Sequence, residues 1–401
     1  MPRALLLENI HPLATDVLTA AGYEVSAQPG ALDEDELIDA LDGVSVLGIR
    51  SKTQVTERVL AASRLDAIGA FCIGTNQIDL AAAALAGVGA FNAPFSNTRS
   101  VVELAIAEII ALARRLTERD KALHDGVWDK SATGAHEIRG RTLGIVGYGN
   151  IGTQLSVVAE ALGMHVVFYD TAEKLALGNA RRMPSLAALL EVADVVTLHV
   201  DGRPGNAGMF GPTQFRAMRD GAIFLNLSRG FLVDYGALRG RIEDGTLAGA
   251  AVDVFPEEPN RRGDPFTSEL RGLANVILTP HVGGSTEEAQ EDIGQFVAVK
   301  LRDYLAQGAS YLSVNVPGLV LDAPRPGTRR IAHLHRNTPG VLALLNETLA
   351  QHGTNVEYQV LGTRGEIGYA VTDVGGEVPR GVVDELHEMP HTIRVRLLGD
   401  G

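Results

Sequence analysis

The sequence predicts an α/β protein of two doubly wound parallel-sheet domains and a smaller C-terminal βαββαβ module. Three observations predict it. Short apolar strands alternate with helical segments through the first 317 residues, the strands after residue 141 are near-continuous apolar runs, and from residue 329 the order of elements changes. A chain of 401 residues exceeds what one hydrophobic core can serve.

The first hundred residues read as an apolar run near Ala4 to Leu7, a helix after His11 ending at Gly22, a helix from Asp33, and strands at 44–49 and 65–73. The polar cluster Ser96 to Thr98 caps a long apolar helix over 99–116. Six strands follow at 142–146, 165–170, 193–200, 221–228, 249–255 and 275–280, and Ser285 with Glu288 forms a capping box for a helix running to about Gln307. That helix returns the chain to the first domain. The expected division is therefore 1–97 with 286–317, then 98–285, a Pro/Gly linker at 318–328, and the module 329–401 with helices at 339–352 and 379–389.

Composition excludes several classes. Apolar residues make up 45% and charged residues 21%, ordinary globular values. A net charge of −14 with no basic run opposes nucleic acid and anionic membranes, yet leaves a small anionic substrate open, because a few focused cations can bind it. One cysteine, Cys72, excludes an intrachain disulfide framework and suits a reducing compartment. No stretch approaches the roughly 20 apolar residues of a membrane span and no signal segment opens the chain, so a cytoplasmic protein is expected. No metal site is expected.

Gly147-Tyr148-Gly149-Asn150-Ile151-Gly152 is a G-x-G-x-x-G string between a strand ending at Val146 and a helix expected from Thr153 to Leu162. Asp170 ends the next strand, 18 residues beyond Gly152. This is the Rossmann dinucleotide pattern: glycines admit the pyrophosphate to the backbone, the helix N-terminus supplies N–H donors, and the acid binds the ribose hydroxyls. Asp170 would repel a 2′-phosphate, and Thr171-Ala172 offers no arginine to attract one, so NAD is the expected cofactor.

Three strand ends carry the reactive candidates: Asn226 to Gly230, Asp253 to Pro259 and Thr279 to Thr286. The carboxyl ends of parallel strands form the ligand crevice of open α/β sheets. His281 suits a general base, with an ordinary pKa of about 6.5. Glu258 suits the carboxylate that orients it, and Arg229 is the permanent cation for a carboxylate and a developing oxyanion. Each alone reads more readily as structural; their place at three successive strand ends beside a dinucleotide fingerprint favours catalysis.

The segments GYGNIG, NLSRG, DVFPEEP and TPHVGGST resemble the signatures of the D-isomer-specific 2-hydroxyacid dehydrogenases. IRSKTQVT at 49–56, FCIGTNQIDL at 71–80, FNAPFSNTRSVVELAIAEI at 91–109, GVWDK at 126–130 and FYDTAEKLALGNA at 168–180 are similar to the shorter bacterial, serine-inhibited branch acting on 3-phospho-D-glycerate. The resemblance implies that Arg229, Glu258 and His281 are catalytic and that Arg50, Ser51, Lys52, Asn97 and the backbone near Gly74 hold the substrate. Lys130 would reach a neighbouring subunit's site. It further implies that Gly147, Gly149, Asn150, Ile151, Gly152, Asp170, Leu227, Ser228, Asp253, Gly283 and Gly284 line the NAD site. The C-terminal module would be an ACT domain in a homotetramer, binding L-serine through His335, Asn337 and Asn355. Three departures stand out: Lys52 replaces an arginine, the 201–208 loop lacks the usual Pro and basic-polar residues, and Pro326-Gly327-Thr328 replaces a Gly-Gly hinge. Reduction of glyoxylate, hydroxypyruvate or 2-oxoglutarate, or non-catalytic NAD sensing, stay open at this level.

Overall fold

The computed structural model describes residues 1–259 and 263–399. It divides into two compact units, residues 1–96 with 290–401 and residues 97–289. Among the described residues three sheets occur, and each grows from the alternation seen in the sequence.

The first unit opens with β1 (Arg3–Leu6), α1 (Pro12–Ala20), β2 (Glu24–Ala27), α2 (Glu34–Ala40), β3 (Val44–Ile49), α3 (Glu57–Ala62), β4 (Ala67–Ala70), α4 (Leu80–Leu85) and β5 (Gly89–Asn92). The strands form one sheet in the order β2-β1-β3-β4-β5, each neighbouring pair parallel. Asp33 caps α2 in a full capping box with Glu36. The structure adds β2, α3, α4 and β5 to the sequence reading. β2 is short and mostly exposed, so it carries no apolar run.

The second unit begins with α5 (Thr98–Ala113) and α6 (Leu116–His124). The expected 99–116 helix thus stops early, because Arg115 adopts φ 51°, a left-handed conformation that ends one helix and starts the next. Then follow β6 (Thr142–Val146), α7 (Asn150–Ala161), β7 (His165–Tyr169), β8 (Arg181–Arg182), α8 (Leu186–Leu190), β9 (Val195–Leu198), α9 (Pro212–Ala217), β10 (Ala222–Asn226), α10 (Tyr235–Glu243), β11 (Leu247–Val252) and β12 (Val276–Leu278). Their sheet runs β12-β11-β10-β9-β6-β7-β8 and is parallel throughout. The order reverses beside β6, the switch point at which dinucleotides bind in such sheets. Two corrections concern helix starts: α7 begins at Asn150, so Asn150 to Gly152 form its first turn, and the long helix after β12 is capped by Thr286, whose hydroxyl accepts from Ala289 N at 3.2 Å, rather than by Ser285.

That helix, α11 (Glu287–Gln307), lies mostly in the first unit, where Val297 and Leu301 pack over Gly69 of β4. The chain then forms β13 (Thr328–Arg336), α12 (Val341–Gln351), β14 (Val356–Arg364), β15 (Ile367–Gly375), α13 (Arg380–Glu388) and β16 (Thr392–Leu398). This is the expected βαββαβ order, an antiparallel sheet β14-β15-β13-β16. One core runs through both sheets of the first unit, joining Leu6, Phe91 and Tyr304 to Ala332, Leu334 and Tyr369. Charges secure the same junction. Arg394 donates to Leu65 O at 2.7 Å and to Asp66 at 2.8 Å, and Arg396 stacks on the Tyr304 ring at 4.1 Å. Arg330, 2% exposed, pairs with Asp373 and donates to the carbonyls of Gln307 and Asp322. Among the described residues no helix is long and apolar enough to cross a membrane.

Candidate active site

The glycine string forms a tight turn between β6 and α7. Gly147 has φ 94°, and a Cβ there would lie 2.4 Å from the His199 carbonyl oxygen; a Cβ at Gly152 would lie 2.3 Å from Gly147 O. At Gly149 the same test meets nothing within 4 Å, so the cradle above the N-terminus of α7 is open. That shape fits a dinucleotide pyrophosphate, which needs close backbone approach and free N–H donors. Asp170 stands at the end of β7, its carboxylate oriented by Tyr148 N and Ala172 N, each at 2.8 Å. Leu227 and Ser228 follow β10; Ser228 is buried and donates to Leu198 O at 2.6 Å, so it acts through its backbone and its hold on β9.

The three strand ends are bound to one another. Asn226 donates to Arg229 O at 3.0 Å and to the Tyr235 hydroxyl at 3.1 Å, and Tyr235 donates to Val254 O at 2.6 Å. Gly230 allows the Arg229 loop to lie against the next one, since a Cβ there would fall 2.0 Å from the Phe255 carbonyl carbon. Asp253, 1% exposed, accepts from Thr279 Oγ1 at 2.6 Å, Val282 N at 2.8 Å and Gly283 N at 2.8 Å. Its carboxylate is therefore spent on shaping the 279–283 loop. His281 in that loop has φ 55°, a strained conformation held by its N–H donating to Asp253 O at 2.8 Å.

His281 Nδ1 lies 2.8 Å from Glu258 Oε2, and Glu258 Oε1 accepts from Phe255 N at 3.0 Å. Nε2 is thereby the nitrogen left for chemistry. The hydrogen bond to Glu258, and then the Glu258 charge, raise the His281 pKa above the ordinary value against the opposing effect of burial. Burial pushes the Glu258 carboxyl up, but the bonds from His281 and Phe255, with the Arg229 charge, bring it below the usual range. The pair favours a proton held between them, and Arg229 is close enough to bias both partners.

In the first unit, Arg50, Ser51 and Lys52 sit on the loop after β3. Its backbone is gripped by a residue that the sequence reading passed over: buried Glu8 accepts from Arg50 N at 3.2 Å, Lys52 N at 3.0 Å and Thr53 N at 2.9 Å. Gln77 donates to Arg50 O and to Gly74 O, tying the loop to the Cys72 to Gly74 segment, and Asn92 donates to Ile73 O at 2.6 Å. A lone Glu after a short strand gives no periodic or motif signal, so only the fold exposes this role. Asn97, in the second unit, occupies the N-cap of α5 without a side-chain capping bond and lies against Gly284, where a Cβ would meet its Nδ2 at 2.2 Å.

Comparison with known proteins follows the geometry. Residues 106–283 match the family described as D-isomer specific 2-hydroxyacid dehydrogenase, NAD binding domain. D-3-phosphoglycerate dehydrogenase of Escherichia coli is 48% identical over 398 residues, covering 98% of this chain and 97% of the relative. The chain belongs to the D-3-phosphoglycerate dehydrogenase group of the D-isomer specific 2-hydroxyacid dehydrogenase family. The Dictyostelium discoideum member is 47% identical over 99% of this chain and 97% of its own. Among solved structures, the TT0316 protein of Thermus thermophilus matches with TM-score 0.68 at 31% identity, over 76% of this chain and 96% of that one. Residues 331–394 match an AHAS small subunit-like ACT domain. This family member is an NAD-dependent dehydrogenase with a C-terminal ACT domain.

The ACT domain presents its three candidate effector residues unevenly. His335 is 3% exposed, its ring over Gly368, with Nδ1 2.8 Å from Arg336 O and Nε2 without a partner. Asn337 is exposed and donates to Gly365 O at 3.1 Å, and Asn355 is exposed before β14. The segment before β13 is a bonded turn: Thr328 N donates to Arg325 O at 3.1 Å, and Gly376 N to Gly327 O at 3.1 Å. Lys130 stands on an exposed loop after α6, its ammonium 5.7 Å from the centre of the Trp128 ring.

Proposed function

We propose that this dehydrogenase oxidises 3-phospho-D-glycerate to 3-phosphohydroxypyruvate with NAD, the first step of serine biosynthesis, and that L-serine bound to the ACT domain restrains it. The observation that carries the chemistry is the 2.8 Å His281–Glu258 bond beside Arg229 at successive strand ends. The substrate is carried by the 48% identity to named D-3-phosphoglycerate dehydrogenases.

In this reading Arg229 grips the substrate carboxylate and stabilises charge on the C2 oxygen. His281 Nε2 takes the hydroxyl proton, and Glu258 balances the imidazolium that results. NAD, when bound, supplies the hydride acceptor. Arg50, Ser51 and Lys52, with Asn97 and the backbone at Gly74, hold the phosphate end. Lys52 provides a point charge there and Arg50 a planar fork. Asp170 binds the adenosine ribose. His335, Asn337 and Asn355 receive serine.

The same reading has a homotetramer in the cytoplasm. Leu116, Leu123, Val127 and Trp128 support the assembly, since they expose apolar surface around α6, Trp128 at 73%. A spectrophotometric assay of NADH formation tests the proposal. Phosphoglycerate should be preferred over unphosphorylated D-glycerate by at least about a hundredfold in kcat/KM, the scale expected when charge-assisted bonds to a phosphate are lost. Equal rates would refute the substrate assignment.

A further inference from the structure

The ribose end of the NAD site holds a cation that the local sequence does not reveal. β8 pairs in parallel with β7, Phe168 opposite Arg182, and forms the outermost strand of the sheet. It thereby sets Arg182 beside the segment that carries Asp170. Arg182 Nη2 donates to Asp170 O at 3.3 Å and to Ala172 O at 3.4 Å. The side chain is exposed, and among the described residues no carboxylate pairs with it. Two long carbonyl contacts leave most of its five donors for a ligand.

A second arginine of this region is already committed elsewhere. Arg203, in the loop after β9, is clamped by Asp201 through contacts of 2.8, 3.0 and 2.8 Å. That clamp is the main reason its proton is bound more tightly than usual, and Asp170 contributes to the same effect. Each carboxylate oxygen of Asp170 already accepts from a backbone N–H, and an acceptor-only group offers an approaching anion only repulsion.

Nothing in the 170–172 segment itself attracts a 2′-phosphate, but the fold brings one arginine from twelve residues downstream. We propose that Arg182 is a recognition residue for the 2′-phosphate of NADP, so that Asp170 alone holds this site to NAD. Guanidinium groups are suited to that task, because their forked donors match phosphate oxygens. The adjacent Arg181 points to the opposite face of the strand and serves as the control.

The test uses the full-length protein and calorimetric titration with 2′,5′-ADP, with 5′-AMP as the reference lacking the 2′-phosphate. Asp170→Ser should tighten 2′,5′-ADP binding about a hundredfold, the scale of removing a like-charge contact. Adding Arg182→Ala should reverse at least about tenfold of that gain, the scale of a lost charge-assisted bond, with a smaller change for AMP. Adding Arg181→Ala instead should leave the gain in place. Arg182→Ala in the otherwise unaltered chain should weaken 2′,5′-ADP by a similar factor, so the outcome does not depend on how Asp170→Ser folds. Equal 2′,5′-ADP affinity with and without Arg182, or equal losses for 2′,5′-ADP and AMP, would overturn the assignment.

Discussion

The strand ends of the NAD unit and the ACT domain make opposite use of their polar residues. In the former, Arg229, Glu258 and His281 are linked through Asn226, Tyr235 and Asp253 into one bonded framework, and the working pair is already at 2.8 Å. In the latter, His335 is buried with Nε2 unpartnered, while Asn337 and Asn355 are exposed and Asn337 is bonded to a turn of its own domain. Under the proposed function the catalytic pair is thus assembled within a single chain, whereas His335, Asn337 and Asn355 would form only part of a site. A second copy of the domain would complete it.

The largest effect expected from breaking the first framework is at His281. His281→Ala should lower turnover at least about a hundredfold, the usual contribution of a positioned general base, with a much smaller change in NAD affinity. Steady-state kinetics beside NAD titration check this, and near-normal turnover in a folded variant would remove His281 from the mechanism. Glu258→Gln should cost roughly tenfold and also move the pH profile. Glu258 raises the His281 pKa, and oxidation needs the neutral ring, so kcat/KM rises as pH passes that pKa. Without the carboxylate the rise should occur at lower pH. An unmoved limb would mean that Glu258 does not act on His281.

What the sequence makes legible divides along the same line. The six apolar strands and the glycine turn of the second unit are readable because a sheet buried on both faces leaves continuous apolar runs. β2 and β8 are not, being short and exposed, and β8 is the element that brings Arg182 to Asp170. Arg229, Glu258 and His281 are readable from their places after strands. Glu8 and Asn226 are not: Glu8 holds distant backbone and Asn226 fastens the Arg229 loop and the Tyr235 hydroxyl, partnerships that no spacing rule encodes. The ACT domain's element order is readable, but not that its sheet shares a core with the first one, a property of packing rather than of pattern.

Glu108 in α5 illustrates the same limit. It is 3% exposed, both carboxylate oxygens lack partners, and burial first, then the Asp253 charge, push its pKa up to about 8. A carboxyl raised in the folded state contributes stability at low pH, loses it as pH climbs from about 4.5 to about 8, and imposes the full cost above that. Glu108→Gln should therefore stabilise the NAD unit at pH 9 by roughly 5 kcal/mol, and hardly at all at pH 4. Thermal or denaturant unfolding at the two pH values checks the sign, and equal effects at both would contradict it.

The smallest expected effect concerns the incomplete site. Asn337→Ala should raise the serine concentration giving half-inhibition by about tenfold, the scale of one or two lost hydrogen bonds to a charged ligand. Calorimetry without any serine binding to the wild type would reject the effector site. Binding without inhibition would keep the site and reject the coupling.

The proposed reaction depends above all on hydride leaving C2 of phosphoglycerate for NAD. Turnover of 3-phospho-D-glycerate deuterated at C2, with mass analysis of the reduced cofactor, follows that transfer atom by atom. NADH should carry one deuterium and phosphohydroxypyruvate none at that carbon. Unlabelled NADH, or no reduced cofactor at all, would contradict the mechanism.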